Sequence, residues 1–170
     1  MYRNLDECLY DIYRFGALRI EPMGNTAQIC LWLESKGAGI SKSGLTQAEW
    51  HANARLIQNR IERILNRYEL AAIEMQYSEF DRHNIIDLSA YVLERYTRLN
   101  PILCDKLISH LFTERPRLVA IQDSLDLDKK TVWRWQQKVD SCVVGLLNQA
   151  RFKVDAELRA AGVVENVKIA

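Results

Sequence analysis

With 170 residues, 48% of them hydrophobic and 26% charged, the chain has the length and composition of one compact globular domain with room for a smaller lobe. Seven Gly and three Pro argue against long disordered or low-complexity stretches, and no apolar run approaches the length that spans a bilayer. A formal net charge of +1 excludes a generally basic composition and does not by itself point to a nucleic-acid partner, so the distribution of charge is the more informative quantity. The first residues, MYRNLDECLYDIYR, mix acids into an apolar pattern and lack the h-region of a signal peptide. The expected compartment is the cytoplasm, with no membrane partner.

In chain order, Leu5, Leu9, Ile12 and Tyr13 fall at helical spacing. Pro22 and Gly24 mark a break. Ile29, Leu31, Trp32 and Leu33 form a short apolar run read as helix, and Lys36 to Gly44 reads as a loop. Thr46 and Glu49 fit a capping box that opens a helix from Gln47 to about Arg67, with Trp50, Ala54, Ile57, Ile61, Ile64 and Leu65 as its apolar stripe. Arg55, Arg60, Arg63 and Arg67 punctuate that stretch. Such a series is either a solvated face or a contact surface. Leu70, Ala71, Ile73 and Met75 predict a further helix, Asp81 to Asn84 a turn, and Ile85 to Tyr96 another helix. Asn100-Pro101 starts the next, with Pro101 at the first helical position. No convincing strand alternation occurs. The expected fold class is therefore all-α, a multi-helix domain ending in a helix-turn-helix.

That motif is read in residues 115–139. Pro116 opens a helix carrying Val119, Ala120 and Ile121, with Ala120 small where the second helix approaches. Leu125 and Leu127 flank a turn at Asp126. Asp128 caps a second helix that buries Val132, Trp135, Val139 and Val143. At 100° per residue, Lys130, Arg134, Gln137 and Ser141 lie opposite that stripe and Trp133 at the border. Arg suits guanine and Gln adenine, while Lys129 and Lys130 suit phosphates or a base edge. The plainer reading is a solvent face. The turn and cap before the charged face, and the cost of exposing Trp133, weigh against it. Trp133 either contacts DNA or packs on the preceding helix. The apolar stripe continues through Leu146, Ala150, Val154 and Leu158 to a stop at Gly162, for packing on the N-terminal helices or, less favoured, dimerisation. The chain divides into residues 1–44 without an assigned role, a helical body at 45–99, the helix-turn-helix region with its extended recognition helix at 100–162, and a tail at 163–170.

The segments LISHLF (107–112), Val119-Ala120-Ile121, TVWR (131–134) and CVVGLL (142–147) resemble the C-terminal half of Q-type late-gene antitermination proteins of lambdoid phages. LTQAEWHA (45–52) is similar to a phage family from the same genome location. The motif also resembles region 4 of bacterial sigma factors. The resemblance implies a phage- or prophage-encoded protein that binds double-stranded DNA at a late promoter. It implies loading onto paused bacterial RNA polymerase, holoenzyme or elongation complex, and suppression of termination at the RNA exit channel. On it, Lys129, Lys130, Thr131, Trp133, Arg134 and Gln137 are DNA contacts. Arg55, Arg60, Arg63 and Arg67 are contacts to nucleic acid, including nascent RNA, or to polymerase. One Q branch carries a zinc-binding cysteine cluster that is absent here, which places any kinship with a zinc-free branch.

Competing readings are a helix-turn-helix repressor or activator, which needs a stable dimer on a palindrome, and a phage terminase small subunit, which forms rings. An enzyme is not expected. His51, His83 and His110 are scattered, no acid/base constellation stands out, and KGAGISKSG lacks phosphate-loop spacing. Cys8, Cys30, Cys104 and Cys142 form no C-x-x-C pair and are expected reduced and mostly buried, with no metal or cofactor.

Overall fold

The structure is a computed structural model that describes residues 2–17, 47–78 and 81–165. The proposed helix at 29–33, the loop at 36–44, the Thr46 cap and Cys30 lie outside these residues. Among the described residues the fold is all-α, with seven helices and no strand. They are α1 (Leu5–Ala17), α2 (Gln47–Ile64), α3 (Arg67–Tyr77), α4 (Arg82–Arg95), α5 (Pro101–Thr113), α6 (Leu118–Leu125) and α7 (Lys129–Ala160).

Helix α7 is the spine. Its 32 residues extend about 48 Å at 1.5 Å per residue, and α2, α3, α4, α5 and α6 all pack along it. Val132, Val139, Val143, Leu146, Ala150, Val154 and Leu158 recur one or two turns apart and are buried along its length. The long apolar stripe is thus consumed within the chain, as the favoured reading expected. It ends as anticipated at Gly162, whose positive φ of 69° closes a reciprocal pair of bonds, Val163 N–H to the Leu158 carbonyl and Gly162 N–H to that of Arg159. The chain then turns back. Val164 is fully buried and bridges to Tyr2.

The single helix expected from Gln47 to about Arg67 stops at Ile64. Asn66 opens α3 with a capping box: its side chain accepts from the Glu69 N–H, and the Glu69 carboxylate accepts from the Asn66 N–H. Arg67 therefore belongs to α3, the most enclosed short helix, where Ala71, Ala72, Ile73 and Met75 are buried against α1, α4 and α7. The turn expected at Asp81–Asn84 is already helix from Arg82. Asp81 caps it by accepting from the His83 N–H, and Asn84 is buried with its amide donating to Glu74 at 3.0 Å. Asn100 and Pro101 start α5 as expected, the Asn100 side chain accepting from Ile102.

Candidate nucleic-acid interface

Helices α6 and α7 are joined by Asp126, Leu127 and Asp128. Asp126 adopts the left-handed conformation (φ 49°), which Asp tolerates better than most residues. Its N–H bonds the Gln122 carbonyl. Leu125 and Leu127 pack against the core from either side of it. Asp128 is the cap read from the sequence, accepting from the Thr131 N–H at 3.0 Å. The Thr131 side chain bonds it too, and these bonds hold the Asp128 carboxyl below the usual carboxylate range.

Three details of this helix pair differ from expectation. Helix α6 begins at Leu118, two residues after Pro116, with Arg117 in the capping position and no side-chain cap bond. Ala120 is exposed, and Ile121, fully buried, makes the inward contact. Trp135 does not lie deep between α6 and α7. It is half-buried, edge-on to Tyr96 beyond the end of α4, with ring centroids 6.1 Å apart, and carries the Lys138 ammonium 4.6 Å over its face.

The first turns of α7 present Lys129, Lys130, Arg134 and Gln137 to solvent. Trp133 is 58% exposed, which rules out a settled packing place on the preceding helix. Lys130, Trp133, Arg134 and Gln137 fall within an arc of about 100°. Among the described residues Lys129, Lys130 and Arg134 make no ion pair. Thr131 differs from its neighbours: it is half-buried and its side chain is engaged by Asp128, so it serves the cap.

Two of the four arginines at 55–67 are ion-paired. Arg60 pairs with Glu157 at 3.2 Å, and Arg67 pairs with Asp87 on α4. Along α7, Glu157 lies about 42 Å from Lys129, so Arg60 occupies the far end of the spine. Arg55 donates to Gln58 at 3.0 Å. Arg63 lines a shallow cavity of about 290 Å³ with Leu56, Asn59, Arg60 and Val163. Arg60 and Arg67 are thus engaged in holding helices together. Sequence periodicity shows where cations recur but not which acids fold against them.

The thiols of Cys8, Cys104 and Cys142 are free and buried. Burial pushes Cys8 up to about 12 and Cys104 up to about 11, which leaves both protonated and unreactive at neutral pH. No helix among the described residues is long and apolar enough to cross a membrane, and no three His, Cys, Asp or Glu side chains among them converge as a metal site. No family model matches the chain and no curated protein is similar to it, so the surface of α7 has to be interpreted from its own chemistry.

Proposed function

We propose that this protein binds double-stranded DNA in a sequence-specific manner, with α6 and α7 acting as a helix-turn-helix and the first turns of α7 entering the major groove. One observation carries the reading: Lys129, Lys130, Arg134 and Gln137 are exposed at the capped start of α7, and no carboxylate among the described residues neutralises the three cations. A guanidinium matches the guanine O6/N7 pair and a carboxamide the adenine N6/N7 pair, while the paired lysines suit flanking phosphates. Arg134→Ala is expected to lose about 1–3 kcal/mol of discrimination between cognate and scrambled duplexes, and Lys129→Ala to weaken both alike. Equal loss on both duplexes for Arg134→Ala would make it a phosphate contact.

Within that class we propose transcription antitermination on bacterial RNA polymerase, the activity that the resemblance of residues 45–52 and 107–147 implies. The test is single-round transcription from the promoter nearest the gene, followed by an intrinsic terminator. The expected result is readthrough that rises with added protein only on templates that keep the promoter-adjacent DNA. Bound DNA without readthrough would leave a repressor, an activator or a packaging protein.

A further inference from the structure

Trp133 is the one large apolar side chain exposed within the cationic arc at the start of α7. Lys129 and Lys130 lie one turn before it and Gln137 one turn after, so the indole sits among groups suited to polar edges and phosphates. Exposing an indole costs free energy unless it meets an apolar partner, and this ring of cations does not suit an apolar protein surface. A wedge between base steps is a minor-groove device, whereas the start of α7 is read as entering the major groove. On the major-groove edges of the four bases, the apolar group on offer is the C5-methyl of thymine.

We propose that Trp133 reads the C5-methyl group of a thymine adjacent to the base pair met by Gln137, making the indole a specificity-determining residue. The inference rests on the DNA reading above and adds the chemical group recognised. In the complex, the indole and the methyl leave water together. One methyl of this kind is worth about fourfold in affinity.

The experiment starts from a random-sequence pool of duplexes, from which the full chain enriches those it binds. The enriched duplex is then resynthesised with deoxyuridine replacing one thymine at a time, which removes the methyl and keeps every hydrogen-bonding group. Wild type is expected to lose about fourfold at one position and little at the others. Trp133→Ala, whose exposed side chain leaves the core untouched, is expected to bind the thymine and deoxyuridine duplexes equally. Trp133→Phe keeps an apolar ring without the N–H and is expected to retain the discrimination. Deoxyuridine duplexes bound as tightly as the parent by wild type would overturn the inference while leaving DNA reading intact. So would a penalty that persists in Trp133→Ala, which would place the methyl against another residue. A pool from which nothing is enriched overturns the DNA reading itself, and this inference with it.

Discussion

Trp135 shows how far a single residue can be read before the fold is known. Its spacing with Val132 and Val139 places it on the buried side of α7, and it does pack against the core. Yet its partners are Tyr96 and Lys138, and it keeps partial access to solvent. Trp135→Ala is therefore expected to weaken the C-terminal half without unfolding it. A loss of about 2 kcal/mol is expected, below the 3–5 kcal/mol of a fully buried aromatic, with a cooperative melt retained. Chemical denaturation followed by far-UV dichroism checks it, and a non-cooperative transition would show that Trp135 holds more than one edge. Trp133 and Trp135, two residues apart, separate two roles: one is exposed beside the cations, the other is covered.

At the scale of elements, α7 is tied to the helices around it by a few polar contacts set in an apolar seam. Glu69 is fully buried on α3, closes the Asn66 capping box, and accepts from Lys153 Nζ of α7 at 2.6 Å. Removing one member of a buried pair strands the other charge. Lys153→Met is expected to cost about 1–3 kcal/mol, less than for a fully buried pair, because the Lys153 side chain is 41% exposed. A urea midpoint unchanged from wild type would mean that water or another cation serves Glu69. Asp6 of α1 receives Arg151 of α7 through both carboxylate oxygens at 2.7 Å and also bonds Tyr77 of α3, joining three helices at the surface. At the other end of α7, Asp128 is the side-chain cap. Asp128→Ala is expected to lower Tm by about 2–4 °C, the usual size of a lost N-cap in a chain of this length. An unchanged melt would show the first turn of α7 to be held by packing alone.

Across the whole molecule, two sets of carboxyls respond oppositely to pH. Asp81, Asp87 and Asp128 are held below their usual range, respectively by the His83 N–H, the Arg67 guanidinium and the Thr131 side chain. Their stabilisation is present above the unfolded value near 3.8 and is lost as pH falls through the depressed folded value. Glu74 and Asp140 are pushed up, mainly by burial, which outweighs the bond from Asn84 in the first case and the attraction of His110 in the second. The folded state holds these two protons more tightly. Their contribution is present below the unfolded value and is lost as pH rises through the raised folded one. Asp140→Asn is therefore expected to raise Tm at pH 7 and to lose that advantage progressively as pH falls through the raised folded value towards the unfolded one. A melt of the variant no higher than wild type at pH 7 would show that His110 offsets the burial of Asp140.

Much of this was legible along the chain. The all-α class followed from periodicity. The caps at Asn100 and Asp128 and the stop at Gly162 followed from the preference of those side chains for orphan backbone groups or left-handed backbone, which is decided within four residues. So did the exposure of Lys130, Arg134 and Gln137, because position on a helix face is a local property once the buried stripe is known. The break expected at about Arg67 falls earlier, at Leu65 and Asn66, because the capping box that closes between Asn66 and Glu69 decides it and the apolar stripe, which runs on through Ile64 and Leu65, does not. Beyond that local range, only the tertiary structure decided the outcome. Nothing near Arg60 or Arg67 in sequence shows that Glu157 and Asp87 come to meet them, and nothing near Val164 shows that Tyr2 covers it. Local chemistry decides where helices begin, end and face. Which charges remain free for a partner depends on residues brought together from far along the chain.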